Sequence, residues 1–300
     1  MKTINQYIQE KLIIGKNSSC ITYNYHPKNI LELKEIIEKL IRERGDDANL
    51  NDIDVSAIKS MKQLFNEFSQ FTGDISKWDV SNVTDMTEMF HYSKFDGDIS
   101  NWNVSNVINM KKMFFQSDFN GDISKWDVSS VENMDEMFAY SKFTGDIYDW
   151  DVSNVTNMQG MFKSSIFNND ISRWQTYNVS TMAYMFSWSY FNRPIGKWDV
   201  SGVENFACMF EYNRVFNQDL SEWDMSNAND LKRMFKNAEK FNSDISDWNI
   251  AYTNDMSEMF LWAKSFDQDL SGWKITDKTN TSNMFDDCKI KEEHKPQIPE

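Results

Sequence analysis

Histidine, cysteine and carboxylate are the side chains that most often carry chemistry, and here only the carboxylates recur in a pattern. His26, His91 and His294 lie far apart, and nothing indicates a Ser–His–Asp or Cys–His arrangement or a glycine-rich phosphate loop. Cys20, Cys208 and Cys288 are odd in number and lack metal-like or disulfide-like spacing, which predicts free thiols in a reducing compartment. Asp74, Asp98, Asp122, Asp146, Asp170, Asp219, Asp244 and Asp269 form one column, broken at Pro194. Carboxylates stacked about 5 Å apart could hold calcium. The same residues suit an Asx turn that opens each bend, and that is the expected role. General acid–base work by one pair is not expected, because every repeat offers the same pair. The sequence therefore predicts no catalytic residue, no cofactor, no metal site and no enzyme.

Recognition chemistry is better represented. The unit from Trp174 to Lys197 departs most from its neighbours: Gln175, Thr176 and Tyr177 replace Asp-Val-Ser. Tyr184 and Trp188 lie four apart, Tyr190 and Arg193 follow, and Tyr212 and Arg214 lie one repeat on. With Arg173, these are the residue types of interface hot spots. The candidate binding residues are thus Arg173, Gln175, Tyr177, Tyr184, Trp188, Tyr190, Arg193, Tyr212 and Arg214. A second candidate surface is the polar ladder of Lys77 and Asp79 and its counterparts, such as Lys125 and Asp127. The net charge is -15, which argues against nucleic acid as a partner, since counterion release needs Lys and Arg. An acidic surface could still imitate nucleic acid towards a DNA-binding protein. No run is long enough to cross a membrane, and Met1–Leu12 carries charges where a signal peptide needs an apolar core.

These residues ride on a repeat. Trp78 recurs as Trp102, Trp126, Trp150, Trp174, Trp198, Trp223, Trp248 and Trp273, in five steps of 24 residues and three of 25. A diverged copy, Ile53-Asp54-Val55-Ser56, precedes them. A fixed period in this range indicates a solenoid, whose units bury their faces only against each other. Within a unit, Trp78 and Val80 alternate with Lys77 and Asp79, which predicts a short strand. Asp85-x-x-Glu88 reads as a capping box, and Met86, Met89 and Phe90 then predict a helix of about two turns. The expected fold is an α/β solenoid of about ten units over residues 49–285, with stacked strands forming a sheet.

Two segments flank the array. In residues 1–48, Ile4, Ile8 and Leu12 hint at a helix, and Cys20–Tyr25 suits a short strand or loop. Pro27–Arg44 is a clearer helix, with Asn29 as N-cap, an apolar face of Leu31, Leu33, Ile36, Ile37, Leu40 and Ile41, a Glu35–Lys39 pair and Gly45 as the stop. This segment is expected to cap the open end of the array. Residues 286–300 are expected to form a polar terminal cover.

The run Phe-x-Gly-Asp-Ile-Ser-x-Trp-Asp-Val-Ser-Asn-Val-x-x-Met-x-x-Met-Phe resembles the repeat of the BspA-like surface proteins, leucine-rich-repeat relatives found in gut bacteria, mycoplasma lipoproteins and some phage genomes. The likeness covers residues 49–285. Ile75-x-x-Trp78-x-Val80-x-x-Val83 resembles the leucine-rich pattern, with Val83 where that family usually has Asn. The resemblance implies adhesion or protein binding, often at a cell surface. The expectation is a non-enzymatic module that binds a protein or a glycan. A structural or virion-associated protein and an acidic decoy are the alternatives.

Overall fold

A computed structural model describes residues 22–299. Its α-helix, α1, spans Ile30–Arg44. Asn29 caps it, its side-chain oxygen accepting from the amides of Leu31 and Glu32. Gly45, at φ 92°, ends it by donating to the Ile41 carbonyl. Leu33, Ile37 and Leu40 are buried and join one apolar cluster with Ala48, Leu50 and Ile53 of the first repeat. Leu31 is exposed, and Glu38 pairs with Arg42 while Lys39 lies over the Tyr25 ring. The expectations for Ile4, Ile8, Leu12 and Cys20 fall outside the described residues.

The repeats do not form the expected α/β solenoid. Among the described residues there is no sheet, and α1 is the only α-helix, joined by a single 3₁₀ turn at Glu292–His294. The predicted strand at Ile75–Val80 is instead a chain of turns. The Trp78 amide donates to the Ile75 carbonyl and the Val83 amide to the Val80 carbonyl. Parallel pairing shrinks to single bridges along Ser60, Asp85, Asn109, Asn133, Asn157, Thr181, Asn205, Asp230, Asp255 and Asn280.

The predicted helix fails for a backbone reason. Glu88 and Tyr92 take positive φ, 55° and 57°, and so do their counterparts in the later units, while the first unit has it at Gln63 alone. Left-handed residues four apart cannot belong to a right-handed helix. The amides divide their bonds instead. Those of Met86, Glu88, Phe90 and Tyr92 donate to the carbonyls of Asn109, Lys111, Met113 and Phe115 in the next unit, at 2.8–2.9 Å. Those of Met89, His91 and Ser93 donate within the unit, to Met86, Glu88 and Phe90. The Thr87 amide donates to the Asp85 carboxylate. Every amide from Met86 to Ser93 is therefore satisfied without a helix. An isolated two-turn helix would bear the cost of nucleation alone. The stacked neighbour removes that need by offering carbonyls in register. The segment Met86–Lys94 and its counterparts are termed the ribbon below.

The capping box dissolves with the helix. Asp85 makes an Asx turn, and Glu88 accepts from the Gln63 side-chain Nε2 of the preceding unit. Each regular unit has three such corners, Asp74 to Ser76, Asp79 to Ser81 and Asp85 to Thr87. They punctuate the chain too closely for a strand to grow.

The units stack on aromatic columns. Phe90, Phe114, Phe138, Phe162 and Phe186 lie 5.6–5.9 Å apart, and Phe95, Phe119, Phe143, Phe167 and Phe191 run beside them. Each Trp both packs and clamps. The Trp102 indole donates to the Ile75 carbonyl at 3.2 Å and the Trp126 indole to the Ile99 carbonyl at 3.1 Å. This bond across units explains why the position holds Trp and not another large apolar residue. After the last full unit the chain returns to cover one edge, with the Leu270 amide on the His294 carbonyl and His294 Nδ1 2.9 Å from Asp267.

Candidate binding surface

The ribbon decides which side chains leave the core. Within it, Met86, Met89 and Phe90 turn inward and are fully buried. The two positive-φ residues turn outward. In the most divergent unit those positions hold Tyr184 and Trp188, at φ 61° and 58°. Trp188 is 53% exposed and Tyr184 37%. The Trp188 ring lies on Tyr212 of the next unit, with centroids 4.0 Å apart and planes at 12°.

One unit back, the same two positions hold Gly160 and Ser164, at φ 59° and 52°. Small residues there leave a gap between large walls. On one side stand Glu136 and Tyr140, on the other Tyr184 and Trp188. Lys163 lies between them. Its ammonium sits 4.9 Å from the Tyr184 ring centroid and 5.9 Å from that of Tyr140. Two units earlier Phe115 fills the equivalent place and touches both Tyr92 and Tyr140. Among the described residues, no carboxylate lies within ion-pair distance of Lys163. Its neighbours are matched: Lys112 with Glu136 at 2.9 Å, Lys111 with Asp135 at 2.7 Å, and Arg233 and Lys236 with Glu258.

Two groups of nucleophile type lie here, and both are shifted upward. The neighbouring Cys208 sulfur, its hydrogen bond and burial push the Tyr184 phenol up to about 12. Burial, with the Glu211 charge behind it, pushes the Cys208 thiol up to about 12. Both groups stay protonated at neutral pH, and a protonated buried thiol is inert. Glu211 is raised as well, chiefly by burial. Glu258 moves the other way, held down to about 2 by hydrogen bonds from Arg233 and Lys236.

The predicted residues divide into separate groups. Tyr184, Trp188 and Tyr212 share the ribbon face. Tyr190 and Arg214 occupy its trailing position, with Tyr190 exposed and Arg214 3.4 Å from Glu239. Arg193 lies in the return loop, where its Nε donates to the Asn168 carbonyl. Arg173 and Gln175 line a different, shallow hollow with Tyr148, Asp149 and Trp150. There Arg173 pairs with Asp149 at 3.0 Å and lies over Tyr148. Tyr177 follows on that stretch and is exposed. Arg173 and Gln175 share no hydrogen bond, ion pair or ring contact with Tyr184 or Trp188. Sequence reasoning missed Gly160, Ser164 and Lys163. For Gly160 and Ser164 the signal was present one repeat back from Tyr184 and Trp188, as small residues in columns that hold larger ones in most units.

The polar ladder proves to be largely turn chemistry. Asp79, Asp127, Asp199 and Asp224 each accept from the amide two residues on. The Asp column behaves likewise, with Asp98 accepting from the Ser100 amide and hydroxyl at 3.0 and 2.7 Å. A further column was not anticipated. Asp96, Asn120, Asn168, Asn192, Asn217 and Asn242 accept from the backbone amide one unit ahead.

Charge is also segregated. The ribbon segments of the ten units hold 12 Lys and Arg against 10 Asp and Glu. The rest of the chain holds 19 against 36. A net acidic molecule thus has one aromatic face on which charge nearly balances.

Comparison with known families finds the model described as "Mycoplasma protein of unknown function, DUF285" matching at residues 33–142, 115–207 and 187–296. The chain belongs to this family. The three DUF285 matches overlap and run through the whole stacked array. No curated protein and no solved structure gives a significant match. Membership shows a repeat protein of this family and is broader than the BspA-like likeness. The family is described as one of unknown function.

Proposed function

We propose that this DUF285 chain is a non-enzymatic binding module that presents its ribbon face to a protein or glycan partner. The observation that carries this reading is the Trp188–Tyr212 stack, a large aromatic platform held half in solvent. Its backbone is fixed on both sides by hydrogen bonds to neighbouring units, so little freedom remains to be lost on binding. Exposed Trp and Tyr on a rigid frame are the usual anchors of recognition. The protonated Tyr184 phenol and Cys208 thiol agree with a surface that binds and does not react. The resemblance to BspA-like surface proteins supports an adhesion-type role.

The test compares wild type with the Tyr184→Ser/Trp188→Ser double variant, both immobilised, against host-surface proteins and a glycan panel. Unchanged thermal melts confirm that the fold is retained. Loss of a captured partner by at least about tenfold is expected, the effect of removing one hot-spot aromatic. Equal capture by both chains would remove the ribbon face from the reading.

A further inference from the structure

We propose that the ribbon face takes a linear, carboxylate-bearing glycan lying along the stack, with Trp188 as a sugar platform and the Lys163 ammonium as donor to a carboxylate. This rests on the binding-module reading and narrows it to one ligand class.

Three observations lead there. The first is the outer aromatic column. Its positions hold Tyr92, Gln116, Tyr140, Ser164 and Trp188 in successive units, so an aromatic ring alternates with a smaller polar residue. Tyr212 and Trp262 extend the column. Hydrogen-bonded units lie about 5 Å apart, close to the advance of one pyranose ring along an extended chain. From Tyr92 to Trp188 the rings, on every second unit, therefore meet every second sugar, and the paired Trp188 and Tyr212 end that run. A protein segment could also lie here, but it would seek the ribbon's backbone bonds, and those are already used between units.

The second is the gap over Gly160 and Ser164. Trp188 has Tyr212 stacked on one side. The matching position of the preceding unit holds Ser164, which is too small to cover an indole, and Trp188 is 53% exposed. A sugar ring can lie against that open face, since its axial C–H groups suit the electron-rich π surface. The third is the charge. Lys163 stands in the same gap between two tyrosine rings, without a carboxylate partner among the described residues. The ribbon is nearly neutral where the remainder is acidic, so an anion is repelled least on this face. A bound carboxylate would give Lys163 the partner that Lys112 finds in Glu136.

The experiment is isothermal titration of the full chain with oligogalacturonate and with a neutral cello-oligosaccharide of equal length. Wild type, Trp188→Ala, Lys163→Met and the off-face control Tyr252→Ser are compared. Wild type is expected to bind oligogalacturonate more tightly, and to bind it less as salt rises. Lys163→Met should weaken oligogalacturonate by about tenfold and leave the neutral chain unchanged, the loss of one charge-assisted contact. Trp188→Ala should weaken both chains, and Tyr252→Ser neither. No binding of oligogalacturonate to wild type, or binding insensitive to Lys163→Met, overturns the proposal. So does tighter binding of a poly-glutamate peptide than of oligogalacturonate, which would make the partner an acidic protein. If no glycan binds while Tyr184→Ser/Trp188→Ser abolishes capture of a protein, the glycan inference fails and the binding-module reading stands.

Discussion

Replacing Gly160 with alanine distinguishes the ribbon from a helix by the sign of its effect. In the interior of a helix, Gly→Ala stabilises by about 0.5–1 kcal/mol, because alanine has less backbone freedom to lose. In the ribbon Gly160 sits at φ 59°, where an L residue costs about 1–2 kcal/mol. An added Cβ would also lie 2.8 Å from Glu136 Cγ, so the Glu136 side chain, paired with Lys112, must shift. The smaller unfolded-state entropy of alanine offsets part of this, about 0.4–1 kcal/mol. The net expectation is a loss of about 1 kcal/mol. Urea unfolding followed by tryptophan fluorescence would read it as a lower midpoint with an unchanged slope. Cooperativity in a repeat array needs checking by a second probe, such as far-ultraviolet circular dichroism. A gain of about 1 kcal/mol would refute the ribbon and restore the helix.

Other perturbations test the columns. Trp126→Phe keeps most of the packing and leaves the buried Ile99 carbonyl without its indole donor, so a loss of about 1–3 kcal/mol is expected in urea melts. Trp126→Ala should cost about 3–5 kcal/mol, and a loss below about 1 would mean the column is not core. For Glu258 the folded carboxyl is held down to about 2, whereas an unfolded glutamate titrates near 4.3 as usual. Its contribution is therefore complete above about pH 4.3 and is lost as pH falls towards 2. The gap in melting temperature between wild type and Glu258→Gln should close over that window, and a constant gap would reject the Arg233 and Lys236 bonds as its cause. Since Asp98 Oδ1 is engaged by the Ser100 amide and hydroxyl, millimolar calcium should leave the melting temperature unchanged, and a clear rise would show the column binding metal.

The period, the inward set and the ends of α1 were legible in the sequence because each depends on local composition. A Trp every 24 or 25 residues must stack, since one unit cannot bury it alone. Asn29 and Gly45 mark the helix by capping chemistry that needs only near neighbours. Asp98 before Ser100 makes its Asx turn for the same reason. The divergence of Tyr184 and Trp188 from their columns was visible by aligning units, although their stack on Tyr212 was not.

The local backbone of the repeat was not legible, and the cause is physical. Met86, Met89 and Phe90 face one way in a two-turn helix, and equally in two linked turns with a left-handed residue every fourth position. Side-chain spacing cannot separate the two. The choice falls to the amides of Met86, Glu88, Phe90 and Tyr92, which find carbonyls 24 residues or so ahead only once the next unit is in place. The same dependence governs the binding face. Gly160 and Lys163 are unremarkable in their own unit. They line a gap only because Tyr140 and Trp188 stand one layer below and above. The sequence by itself thus determined which residues repeat and which turn inward, because burial follows composition and period. Only the tertiary structure decided whether the chain coils into helix or ribbon and which side chains meet across layers, because those bonds join residues that the period places far apart along the chain.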